Sequence, residues 1–364
     1  MVCGFSCTPE GLLSDRDLRH FDFIGMVRYD WMHTQLQNGV LTTEAALMLA
    51  SCGTIGIGPA DVQAHLTQPW SFPSERPVDL KKLWLIFRDS DRRVTEDNIR
   101  AGASQMLALY GLLRVFFEHR VGSREEVRPQ MQSFQAACHS VDILLDCKRG
   151  RLGMATASRQ LKAAVARHLQ LHVAAYGKDY LKPKHHWNLD VAEQLGLGDP
   201  FMVDAFMLEN LHRRAKTVTR RVDDTRRFER SALAGVLSAH RNSLLDDVCP
   251  DNGLLGKTEV HPDRPLARIG NRLQQEGLQV SVGDIVVKLG RAGEGVLAAG
   301  RVEACISEAG SLYVMVLEMA FVRRQGSHGI VFSGYSRRIV WPAEWVDVPV
   351  CWLDAVDGWL VVMA

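Results

Sequence analysis

Leu181-Lys-Pro-Lys-His-His-Trp-Asn-Leu-Asp-Val-Ala-Glu-Gln-Leu195, followed after a Gly/Asp/Pro break by Asp204-Ala-Phe-Met-Leu-Glu-Asn-Leu-His-Arg-Arg-Ala-Lys216, is the densest mixture of histidine, acid and base in the chain. Pro183 suits the first turn of a helix, where its missing N–H leaves no bond unmade, and His186, Leu189, Glu193 and Leu195 recur at roughly helical spacing. Gly196, Gly198 and Pro200 end that helix. The second half starts apolar, from Phe201 to Leu208, and then turns basic: Arg213, Arg214, Lys216, Arg220, Arg221, Arg226, Arg227 and Arg230 stand against Asp223, Asp224 and Glu229. On a helix Glu209, His212, Arg213 and Lys216 share one face, so one acid sits among several cations.

Working outward, Lys-Pro-Lys-His-His-Trp (182–187) and the later Phe-x-x-Glu-x-x-His-Arg-x-x-Lys run (206–216) resemble the C-terminal part of the catalytic region of CACTA-type cut-and-paste DNA transposases. A second anchor, Met26-Val-Arg-Tyr-Asp-Trp-Met-His33, looks like that family's Asp-x-Met-His segment. The resemblance covers only part of the chain. It implies a ribonuclease-H-like fold and metal-dependent DNA cleavage and strand transfer, with Mg²⁺ or Mn²⁺ held by acids far apart in sequence. Residue by residue, it points to Asp30 and Glu209 as metal ligands and to His33 and His212 as groups orienting a carboxylate or facing a phosphate. Lys184, Arg213, Arg214, Lys216, Arg220 and Arg221 would then follow the DNA backbone, with a steep salt dependence.

Departures from the family pattern are equally visible. Its first catalytic acid lies on a strand upstream of Asp-x-Met-His, and here Asp15, Asp17 and Asp22 fill that window without an apolar strand to bury and aim them. The expectation is a truncated, catalytically incomplete enzyme, because a lost triad member costs orders of magnitude in rate. The rival reading is a non-catalytic nucleic-acid- or protein-binding module, and a third is a translated relic. Asp30 has a plainer role open to it as a helix N-cap, and His33 as an ordinary helix histidine.

Composition constrains these readings loosely. With 43 Lys+Arg against 42 Asp+Glu the net charge is +1, so only local basicity can argue for nucleic acid. Eight scattered cysteines, none in a Cys-x-x-Cys pair, argue against a disulfide framework or zinc ribbon. No apolar run reaches the roughly 18–20 residues of a membrane span, and an intracellular protein is expected, nuclear if it binds DNA.

Along the chain, Phe21–Tyr29 reads as a strand, Asp30 as the cap of a helix from Trp31, and 42–52 and 59–67 as helices. Residues 69–77 carry too many prolines to be regular. Helices follow over 79–87, 95–120, 123–148 and 156–176, and another from 229 to about 247. The 251–278 segment reads as a linker with one short helix, and from 279 short β-branched and aromatic runs, among them 329–332, 336–341 and 345–348, separated by glycine turns such as Glu308-Ala-Gly310, suggest a small barrel or sandwich. The expected fold is α+β: a helical ribonuclease-H-like remnant over 1–250, the linker, and a β domain over 279–364.

Two further histidine pairs stand out. His168 and His172 are four apart on a helix, a spacing that can hold zinc, but no third ligand lies nearby in sequence and an exposed face is expected. His185 and His186 are neighbours and point about 100° apart on a helix, so one is expected to pack and the other to face outward.

Overall fold

Asp30 starts α1 (Trp31–Gln35), the first helix among the described residues, by accepting hydrogen bonds from the backbone of Met32 and His33, as its place before an apolar segment predicts. The computed structural model describes residues 28–74, 79–88, 93–122, 124–198, 234–235, 237–238, 252–275, 278–289, 296–325, 329–347, 349–355 and 358–362. The expected strand over 21–29 and the helix over 229–247 therefore lie largely outside the described residues, and the basic 201–230 segment wholly so.

Among the described residues further helices and short strands follow in order. They are α2 (Val40–Cys52), α3 (Pro59–Leu66), β1 (Trp70–Ser71), α4 (Leu80–Trp84), β2 (Val94–Thr95), β3 (Asn98–Ile99), α5 (Ala103–Val121), α6 (Arg128–Lys148), α7 (Met154–Tyr176) and α8 (Pro183–Leu197). Pro59 and Pro183 occupy first-turn positions, where no N–H is missed. The helix expected over 95–120 starts only at Ala103. Thr95 Oγ1 bonds the Asn98 carbonyl at 3.0 Å, and Thr95 and Asn98 pair as strand residues, a local alternative to helix.

The helical core is built from all faces of α5 and the inner faces of its neighbours. Every residue from Leu109 to Phe117 is buried, so α5 is covered around its whole circumference, as expected of a helix apolar on several sides. Phe117 meets Phe134 of α6 edge-on at 5.1 Å between ring centres. Inside this region the nearly sealed guanidinium of Arg114 pairs with Asp142 at 2.8 Å, and the Tyr110 hydroxyl donates to the same carboxylate at 3.3 Å.

The segment expected as linker and short helix is instead a long antiparallel hairpin, β4 (Asn252–His261) with β5 (Arg264–Gln275). The Gly, Asp and Pro residues there mark an edge hairpin and its turn: most of its side chains are exposed or half-exposed, so little apolar patterning was needed to build it. Next come β6 (Leu278–Ser281), β7 (Ile285–Leu289), β8 (Val296–Glu308), β9 (Ser311–Gln325), β10 (Gly329–Pro342), β11 (Cys351–Ala355) and β12 (Gly358–Val362). They form an open antiparallel path, β1-β11-β12-β10-β9-β8-β5-β4, with β6 beside β5 and β7 beside β8. The sheet does not close, so the expected barrel is not formed among the described residues. At the expected glycine turn, Glu308-Ala-Gly-Ser311, the structure has a two-residue connection with Ala309 and Gly310 both at positive φ.

Two expected strands, 329–332 and 336–341, are one bent strand, β10, whose register against β9 shifts around Ser333, Tyr335 and Arg337. The strand expected at 345–348 is a single turn of helix over Ala343–Trp345, with Val346 making one bridge to Lys288. The helical and β parts are joined by β1, which pairs with β11, and by Val331 and Leu353, which join the helical core. Asp284 adds a polar tie, accepting from the Ser74 backbone at 2.9 Å and the Ser74 hydroxyl at 2.8 Å. The fold class is α+β.

Candidate functional site

The two sequence anchors meet in space. α8 lies against α1, and Lys184 Nζ donates to the carbonyls of His33 and Gln37, each at 2.8 Å. Beneath this, Gln35 Nε2 donates to Asn188 Oδ1 at 2.6 Å, fully buried, and the Tyr29 N–H donates to Gln194 Oε1 at 3.1 Å. Tyr29 and Trp187 rings pack 5.4 Å apart. Burial lowers the Lys184 pKa from its ordinary value, and the Asp30 carboxylate works against that.

Asp30 performs its capping role with both oxygens, and His33 Nδ1 bonds the same carboxylate. The side chains are 18% and 45% exposed respectively, so this pair sits at the surface end of the α1/α8 seam and is not sealed in a dry interior. Among the described residues no third ligand-type side chain joins Asp30 and His33. Glu209, His212, Arg213, Arg214, Lys216, Arg220 and Arg221 lie outside the described residues. The described part of the expected Mg²⁺ or Mn²⁺ site thus offers one carboxylate with a lysine ammonium close by, and no metal-assisted step is derived from it.

A second constellation lies deeper, one residue further along α8. His185 points away from Lys184 into a fully buried cluster with Glu44 of α2 and His168 and His172 of α7; these four offer ligand atoms all within 4.8 Å of one another. Their side chains are sealed, with relative exposures of 0% for Glu44, 1% for His168, 0% for His172 and 2% for His185. Glu44 Oε1 meets His168 Nε2 at 2.7 Å and His172 Nδ1 at 2.5 Å, and it accepts from the Ser133 hydroxyl at 3.0 Å. Burial pushes the Glu44 pKa up, yet the two imidazoles outweigh it and hold the carboxyl at about 2.

His185 differs from the other two histidines. Its Nδ1 accepts the Lys182 N–H at 3.0 Å at the start of α8, and burial first, then His172 and His168, depress its pKa to about 4. The exposed face expected for His168 and His172 is therefore corrected: the ligand that sequence proximity did not supply comes from Glu44, more than a hundred residues earlier. Of the adjacent pair, His185 packs and His186 is exposed. The overlooked signal was Glu44 itself, the lone charged residue in the apolar helix Val40–Cys52, since a carboxylate there must find internal partners.

No family model matches the chain, and no curated protein matches it.

Proposed function

We propose that the protein is a transposable-element-derived, DNA-associated protein whose helical part is a catalytically incomplete remnant of a ribonuclease-H-like transposase region. The observation that carries this reading is the junction of α1 with α8: segments 151 residues apart, each resembling one motif of the same family, are joined by the Lys184 hydrogen bonds. In such a region the acid-bearing segment and the Lys-Pro-Lys-His-His segment must lie side by side for DNA to be held between them. Incompleteness rests on the sequence upstream of Asp30, where Asp15, Asp17 and Asp22 have no apolar strand to bury and aim a first catalytic acid.

Under this reading the 213–221 basic run supplies phosphate contacts, and Asp30 and Glu209 are the positions at which Mg²⁺ or Mn²⁺ would enter. The test is DNA binding by the full chain over a salt series, with a Mg²⁺-dependent nicking assay alongside. Salt-sensitive binding that flattens in the Arg213→Ala, Arg220→Ala double variant supports the proposal. Nicking that Asp30→Asn abolishes would show that catalysis survives. A full chain that binds no DNA at low salt overturns the proposal.

A further inference from the structure

Three polar atoms of the buried cluster have no hydrogen-bond partner: Glu44 Oε2, His172 Nε2 and His185 Nε2. Buried polar groups are nearly always satisfied, and an orphan costs about 1–3 kcal/mol. Orphans on three mutually adjacent side chains, in a site with 2% exposure or less, mark a place built to hold something beyond the protein's own groups. The chemistry of the donors says what: three imidazoles and one carboxylate are the ligand types of borderline divalent ions.

We propose that Glu44, His168, His172 and His185 bind one divalent transition-metal ion, zinc by preference, as a closed structural site tying α2, α7 and α8 together. The four donors are of the right number for tetrahedral coordination, and nothing is left over for substrate. Ligands at about 2.0–2.2 Å from a tetrahedral centre lie roughly 3.3–3.6 Å apart. The short Glu44–histidine contacts therefore open by under about 1 Å, and the widest separation of 4.8 Å closes by a little more.

Binding exchanges protons for the ion. In the metal-free cluster His168 Nε2 and His172 Nδ1 are the nitrogens facing the Glu44 carboxylate. The ion replaces the protons held between them and is met by neutral imidazoles and an ionised carboxylate. His185 now uses Nδ1 to accept the Lys182 N–H, which leaves its proton on the orphaned Nε2. Coordination at Nε2 moves the tautomer, and the N–H of half-exposed Lys182 turns to water. Ser133 remains a donor to Glu44, the outer support a ligating carboxylate normally has.

The full chain, purified, stripped with a chelator and exchanged into metal-free buffer, is titrated with Co²⁺ and then Zn²⁺. One equivalent of Co²⁺ is expected to give the visible absorption of a four-coordinate ion, to be displaced by Zn²⁺, and to raise Tm. X-ray absorption of the zinc-loaded wild type is expected to show scattering from imidazole rings, which locates the ion without any variant. His172→Ala and the near-isosteric Glu44→Gln should each weaken binding by at least about tenfold, while His186→Ala on the exposed neighbour leaves it unchanged. A titration with no saturable equivalent overturns the proposal, as does an all-oxygen shell around zinc or undiminished binding in folded His172→Ala and Glu44→Gln.

Discussion

Lys184 donates to the main-chain carbonyl of His33 across 151 residues of sequence, at 2.8 Å, and caps the end of α1 from the side of α8. The next residue, His185, turns the other way into the Glu44 cluster. One turn of α8 thus fastens two separate sites, so a disturbance at either is felt at both. Lys184→Met is expected to cost about 1–3 kcal/mol, since two carbonyls lose a charged donor. Denaturant unfolding measures this, and a loss within experimental error would remove Lys184 from the seam.

Asp30 separates its capping role from any other by a pair of substitutions. Asp30→Ala removes the acceptor for the Met32 and His33 N–H groups and is expected to cost about 1 kcal/mol, whereas Asp30→Asn keeps the cap and should cost little. Equal losses in both variants would mean that the charge shared with His33 matters more than the cap.

The buried Arg114–Asp142 pair sets a larger stake. Asp142→Ala leaves a guanidinium whose side chain is 5% exposed without its carboxylate and should destabilise by about 3–5 kcal/mol. Replacing both residues with apolar ones of similar volume should recover much of that loss. A double variant no better than the single one would contradict the desolvation argument.

Acid should loosen the fold in two stages. His65 and His185 have pKa values lowered to about 4, in each case first by burial. An unfolded histidine takes up its proton near pH 6.5, so each contributes stability that is complete above about 6.5 and is lost as pH falls toward 4. The gap corresponds to on the order of 3 kcal/mol per histidine. Glu44, held at about 2, adds a second loss from about pH 4.5 downward. Unfolding free energies at pH 7 and 4.5 in chelator should show the first stage, and His65→Phe should reduce it; an unchanged slope in that variant removes His65 as a cause.

Backbone crowding gives a further contrast. A Cβ on Gly39 would lie 2.5 Å from the Gln35 carbonyl carbon and the Thr34 oxygen, so Gly39→Ala forces α1 and α2 apart at an expected cost of about 1–3 kcal/mol. Gly53 has helical backbone angles and open space around its Cβ position. Gly53→Ala should be neutral or stabilising by about 0.4–1 kcal/mol. Thermal melts of the two variants suffice.

What the sequence made legible follows the physics of each signal. Helices with strong local cues, such as Pro59, Pro183 and the Asp30 cap, were foreseen to within a few residues. The hairpin over 252–275 was not, because its largely exposed strands carry no alternation of apolar and polar residues. Trp70 and Ser71 form a strand through their partners Leu353 and Trp352, information absent from their own neighbourhood. The Glu44 cluster was half visible: His168 and His172 announced a spacing, but Glu44 and His185 reach them only through tertiary contacts that bring α2 and α8 beside α7.

The pairing of Trp70 with Leu353 also bears on how the chain is made. A ribosome working from the N-terminus delivers these partners about 280 residues apart, on the order of 15–60 s of synthesis. Through that interval the apolar surface awaiting Val331 and Leu353 stands uncovered. The helical half accordingly completes its core only when the last strands have been made.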